Sequence, residues 1–124
     1  MKIYVSAGST EVDRAATFMA DLRVLGHDIT HDWTVSVRAF QAGGDVDPYH
    51  AATADIVGVH AADVLIALVP REPSKGLWVE IGAALATAIP VCVVGPVGCA
   101  DIWGEICGHA FGEVGAVLWL GDYE

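Results

Sequence analysis

Two spacings of apolar residues share this chain. Residues 64–69 (VLIALV) and 91–94 (VCVV) are apolar without alternation, as expected of strands covered on both faces. Between them, over residues 76–88, Leu77, Ile81 and Leu85 recur along one side, with Gly82, Ala83 and Ala86 small enough for close contact with a sheet. That pattern predicts a helix. Upstream, residues 2–5 read as a strand and SAGST as the turn that leaves it. Thr10 and Asp13 have capping-box spacing, and Ala15, Phe18, Leu22 and Leu25 follow at helical steps until Gly26 supplies a stop. A short strand at 28–30 leads through HDW into a polar, glycine-bearing region ending in AGGDVDP. Asp47-Pro48 then caps a helix over 48–60, with Tyr49, Ala52, Ile56 and Val59 as its apolar stripe. Further on, residues 101–107 are expected to form a short helix and 116–120 a last strand.

Strands alternating with helices, with unbroken apolar runs in the middle, predict an α/β fold: a parallel sheet of about five strands with helices on both faces. A chain of 124 residues with 54% hydrophobic content is expected to fold as one domain over 1–124 with a real core. In such sheets the ligand crevice lies beyond the carboxyl ends of the strands, near the switch in strand order. That rule selects the loops at 6–10, 32–33, 70–76 and 95–97.

Charge narrows the partners. With 6 basic against 16 acidic side chains the formal charge is −10, so nucleic acid and anionic membrane surfaces are not expected partners. A small ligand remains open, since one pocket can carry a local sign of its own. The three cysteines, Cys92, Cys99 and Cys107, show no framework spacing, which fits a reducing, cytoplasmic setting. The opening MKIYVSAGST turns to small and polar residues too early for the apolar core of a signal peptide. Residues 77–98 have the length of a membrane span, but Glu80 and Pro90 interrupt them, so they read as a buried helix followed by a buried strand.

Glu80 is the single ionisable side chain between Gly76 and Pro90, lodged among Trp78, Val79 and Ile81. Near a helix amino terminus the backbone dipole and free N–H groups favour an anion, so Glu80 is expected to stay ionised, a poorly hydrated carboxylate suited to nucleophilic attack. A plainer reading has it complement the helix dipole or pair with Lys75 or Arg71. Asp55, late on the 48–60 helix, is a second candidate acid, or else a solvated helix charge. Asp63 is better explained as a strand-start residue bonding local backbone N–H groups. Ser74 stands in EPSK between Arg71 and Lys75, where it would seat a phosphate or simply lie among surface charges. Trp33 would stack on a base or act as a lid on the core, and Trp78 reads as packing. Neither His27 with His31 nor Cys99, Cys107 and His109 has a recognised ligand spacing, so no metal is expected. No GxSxG elbow is present, and no GxGxxG follows the first strand, so a dinucleotide or other cofactor is not expected.

Residues 3–10 (IYVSAGST), 55–69 (DIVGVHAADVLIALV) and 73–94 (PSKGLWVEIGAALATAIPVCVV), taken in order, resemble the nucleoside 2-deoxyribosyltransferases and the related deoxynucleoside 5′-monophosphate N-glycosidases. The resemblance implies a flavodoxin-like (Rossmann-like) sheet and a homodimer or higher homo-oligomer in which a neighbour helps close each site. It implies that Glu80 attacks C1′ of a sugar to form a glycosyl-enzyme intermediate. It also implies that Asp55 protonates the departing base or activates the acceptor, and that Tyr4 lies near the nucleophile. Ser74 would stand where the transferases carry a sugar-binding acid and the monophosphate hydrolases a phosphate-binding serine. Ser6, Gly8, Ser9, Trp33, Ser74 and Gly76 are the expected substrate-binding residues. The turn SAGSTEVDR lacks the arginine that phosphate-selective members place close behind the first strand, and carries Glu11 and Asp13 instead. The expected function is therefore cleavage or transfer at the N-glycosidic bond of a nucleoside or its 5′-monophosphate. Two carboxylates suit such a reaction, because its transition state is cation-like at C1′ and its leaving base needs a proton. The alternative is a non-catalytic nucleotide-binding module built on the same crevice.

Overall fold

The computed structural model describes residues 1–68 and 74–94, and the backbone of a strand at 117–119. Strand β1 (Lys2–Ser6) is an interior strand of the sheet, with a neighbouring strand on each side. It pairs in parallel with β2 (Asp28–Ile29) and with β3 (Val64–Leu68), in a register that sets Tyr4 opposite Leu65 and Ser6 opposite Ala67. Beyond β3 come β4 (Val91–Val94) and β5 (Val117–Trp119), so the order is β2-β1-β3-β4-β5, parallel throughout. The chain thus has an α/β fold on a parallel sheet.

Helix α1 (Val12–Val24) connects β1 to β2, while α3 (Pro48–Ala61) and α4 (Lys75–Ala86) connect strands in the opposite direction across the sheet. Right-handed crossovers place α1 on one face and the α3–α4 pair on the other. Side chains alternate along β1, so Ile3 and Val5 turn to one face, and Tyr4 and Ser6 to the face of α3 and α4. All four are buried, as are Leu65, Ala67 and Leu68 of β3 and Val91 and Val93 of β4. Among the described residues no helix is long and apolar enough to cross a membrane.

Several elements differ from the sequence expectation. The Thr10–Asp13 box does not form: a 3₁₀ turn at Ser9–Glu11, closed by the Glu11 N–H on the Gly8 carbonyl at 2.9 Å, carries the chain into α1. Glu11 instead takes Arg14 at 3.0 Å. Gly26 ends the helix as expected, at φ +89°, but Leu25 is already outside the packed stripe and exposed. The polar stretch after HDW contains an unforeseen helix, α2 (Thr34–Gln41), started by the Asp32 carboxylate, which accepts from the Thr34 N–H at 3.2 Å and from its hydroxyl. In α3 the Asp47 carboxylate accepts from the Tyr49 N–H at 2.9 Å, with proline in the first turn. Its inward face, however, runs through Asp55, Gly58 and Val59, and Tyr49 points to solvent. In α4, Leu77, Ile81 and Ala84 meet the sheet, while Gly82 and Ala86 are exposed. The loop expectations at 70–73 and 95–97, and the helix at 101–107, lie outside the described residues.

Candidate functional site

Glu80 sits in the second turn of α4 and faces the sheet, 8% exposed. The Tyr4 hydroxyl donates to its Oε1 at 3.1 Å, and the Ser6 hydroxyl donates to its Oε2. Both donors come from one face of β1, two residues apart, so the strand's pleat itself aims them at the carboxylate. Among the described residues no cation contacts Glu80, and Lys75 is exposed. The expectation that the helix terminus keeps Glu80 ionised is corrected here. The dipole's influence fades beyond the first turn, and burial dominates: the carboxyl is pushed up to about 7 from 4.5. The Ser6 hydrogen bond pulls it back, the Asp55 charge raises it further, and the Tyr4 hydrogen bond lowers it again. At neutral pH the group is poised between its two forms. Tyr4 is pushed far above its ordinary value, by burial first and then by the charge of Glu80, so the phenol always has its proton to donate.

Asp55 is half-buried on the inward side of α3; its side chain is 25% exposed, and burial raises its carboxyl despite the charge and hydrogen bonding of His31 beside it. It reaches inward because α3 approaches β1 closely at Gly58, one turn on. A Cβ at that position would stand 2.6 Å from His31 Cβ and 3.1 Å from the Tyr4 ring. Asp63, by contrast, accepts from the Lys2 N–H on the neighbouring strand at 2.8 Å and plays a structural part.

Glu80 and Asp55 open on one cleft of about 200 Å³, whose walls include Ser9, Trp33, Ser74 and Gly76. It lies beyond the carboxyl ends of β1 and β3, where the crossovers change direction. Tyr4 and Ser6 lie beneath Glu80 rather than in the wall, and Gly8 is buried in the 3₁₀ turn, away from the cleft lining. Ser74 caps α4, its hydroxyl accepting from the Leu77 N–H at 3.4 Å. The Trp33 indole is 5% exposed and donates to the Val5 carbonyl at 2.7 Å, so its ring is a fixed wall. A second, broader hollow of about 560 Å³ continues from the cleft past Asp55, between α2 and α3, with Val37, Phe40, Val46 and Pro48 giving it an apolar lining.

Sequence reasoning missed Ser36 and Val37, which line both hollows, because Val35, Val37 and Ala39 of α2 alternate at two-residue steps instead of following helical spacing. It also missed His31 as the neighbour of Asp55, at 3.3 Å. The rule that looks to the carboxyl ends of strands, applied one residue earlier than 32–33, would have found it.

The comparisons with known proteins speak to the fold. No protein-family model matches the chain, and no curated protein matches it in sequence. Among solved structures it is similar to one described as the solution structure of BlsM, with a TM-score of 0.74 and 20% identity over 99% of this chain and 80% of that one. At that identity the likeness establishes a shared fold.

Proposed function

We propose that this protein cleaves or exchanges the N-glycosidic bond of a nucleoside or its 5′-monophosphate, through a sugar bound covalently to Glu80. The observation that carries the reading is the grip of two hydroxyls, Tyr4 and Ser6, on a buried carboxylate that shares its cleft with Asp55. Two hydroxyl donors orient both oxygens and favour the charged form without neutralising it, as a salt bridge would. Glu80 then attacks C1′ as the C1′–N bond lengthens, and its charge covers the cation-like carbon. Asp55 supplies a proton to the departing base and later takes one from the water or second base that releases the sugar. The broad apolar hollow beyond Asp55 suits a flat leaving base.

The strand order β2-β1-β3-β4-β5 is that of flavodoxin-like sheets, whose ligands lie at the switch point occupied here by the cleft, and this supports the reading. The same reading includes a homodimer or larger assembly: α3 and α4 leave Tyr49, Val57 and Val79 exposed, and light scattering measures its size.

The test is incubation with deoxynucleosides and their 5′-monophosphates, with and without a second free base. Free base or exchanged nucleoside is expected, together with one sugar attached to wild-type protein and none to Glu80→Gln by intact mass. A folded protein inert across the whole panel sinks the reading. Thermal stabilisation by an unconsumed nucleotide, unchanged in Glu80→Gln, would instead point to a binding module.

A further inference from the structure

Asp55 Oδ1 is shut off from solvent and accepts no well-formed hydrogen bond among the described residues. Its near neighbour is His31, whose Nε2 stands 3.3 Å away, at ion-pair distance. The ring is held there by the chain on both sides. Before it, Thr30 donates its N–H to the Ile3 carbonyl at 3.0 Å and its hydroxyl to the Gly58 carbonyl at 2.7 Å. After it, Asp32 takes Arg23 at 3.0 Å and Trp33 is tied to Val5. The missing side chain of Gly58 gives His31 its place against α3, one turn from Asp55. His31 lines neither hollow, so it reaches the cleft only through Asp55.

On the glycosidic reading above, we propose that His31 is a positioning residue that holds Asp55 toward the leaving base and steadies the carboxylate that Asp55 becomes when it gives up its proton. As the C1′–N bond breaks, its electron pair passes to the base nitrogen, which takes the Asp55 proton while a Glu80 oxygen bonds to C1′. The new Asp55 carboxylate stays held by the His31 ring beside it until it takes a proton from the water or second base that releases the sugar, which returns Asp55 to its acid form.

The experiment is a double-mutant cycle on the full chain, read as kcat with whichever nucleoside or monophosphate the wild type consumes fastest, each variant first shown to be folded by its melting transition. His31→Gln is expected to lower kcat on the order of 10²-fold, the usual worth of assisted proton transfer, and to cost less than about 3-fold more when Asp55→Asn is already present. A second measurement excludes a merely structural role. With a nucleoside whose base is already cationic, such as one of 7-methylguanine, the leaving group needs no proton, so His31→Gln should lose far less there than on the ordinary base. His31→Asn serves if the glutamine variant does not fold. Additive losses, or equal losses on both kinds of base, overturn the dyad and leave the glycosidic reading standing. A wild type inert on every substrate overturns that reading, and the dyad with it.

Discussion

Tyr4 donates to Glu80 at 3.1 Å across the gap between β1 and α4, from positions 76 residues apart in the chain. With Ser6 on the other oxygen, the charged form of Glu80 depends on two hydroxyls working against burial. Because attack needs the ionised carboxylate, the acid limb of the pH–rate profile is expected to rise through about 7 and level off above it. Removing a donor weakens only the charged form. Tyr4→Phe and Ser6→Ala should each move that limb to higher pH, by roughly half a unit to one unit. A limb that stays in place in both variants would show that it belongs to another group.

The same carboxyl makes stability depend on pH, with a definite sign. Its folded value, about 7, lies above its ordinary 4.5, so between these the folded chain keeps a proton that the unfolded chain has lost. Stability is therefore highest below about 4.5, falls as pH rises toward 7, and stays at the lower level above. The loss is on the order of 2 kcal/mol. Asp55, also raised, adds to it with the same sign. Asp32 acts outside this window: burial pushes its carboxyl up, but the hydrogen bonds from Thr34 and Arg23 outweigh it and hold it below 3.8. Glu80→Gln should remove most of the decline, gaining on the order of 5 °C relative to wild type between pH 5 and pH 8. Parallel melting curves for the two proteins across that range would contradict the assignment.

Much of this was legible in the sequence, for physical reasons. Unbroken apolar runs at β3 and β4 can hardly be anything but covered strands, and Asp47-Pro48 and Gly26 mark helix ends through backbone chemistry that needs no tertiary context. A carboxylate among apolar neighbours singled out Glu80, which the fold buries against β1. Its ionisation was misread, because a local argument sees the helix end but not the burial that outweighs it. Helix α2 was hidden because it is held from outside its own pattern, by the Asp32 cap and by Trp33 reaching back to β1. The inward turn of Asp55 was equally hidden, since it depends on Gly58 meeting two residues distant in sequence.

Gly58→Ala tests that last contact. Inside a helix this exchange ordinarily stabilises by about 1 kcal/mol, by removing backbone freedom. Here the added carbon would meet His31 Cβ at 2.6 Å and the Tyr4 ring at 3.1 Å. Neither is the free end of a flexible side chain, so the sign should reverse, to a loss of roughly 1–3 kcal/mol by urea denaturation. Because relief requires α3 to back away from β1, the variant should also lose activity with Asp55 and Glu80 both intact. A stabilised Gly58→Ala would mean that α3 does not approach the sheet as closely as described.

The Trp33 indole replaces a strand. On the β2 side of β1, the Thr30 N–H reaches the Ile3 carbonyl, but β2 ends at Ile29, so the ladder stops before Val5. The indole N–H takes over that carbonyl at 2.7 Å, which a sheet buried on both faces would otherwise leave without a partner. Trp33→Phe keeps an aromatic wall for the cleft and removes the donor, so it should cost roughly 1–3 kcal/mol for the stranded carbonyl, plus the lost packing of the larger ring. Since the indole also anchors the start of α2, hydrogen exchange should quicken over Thr34–Gln41 more than over α4. An unchanged urea midpoint together with unchanged exchange in α2 would show that neither the carbonyl nor the helix depends on that bond.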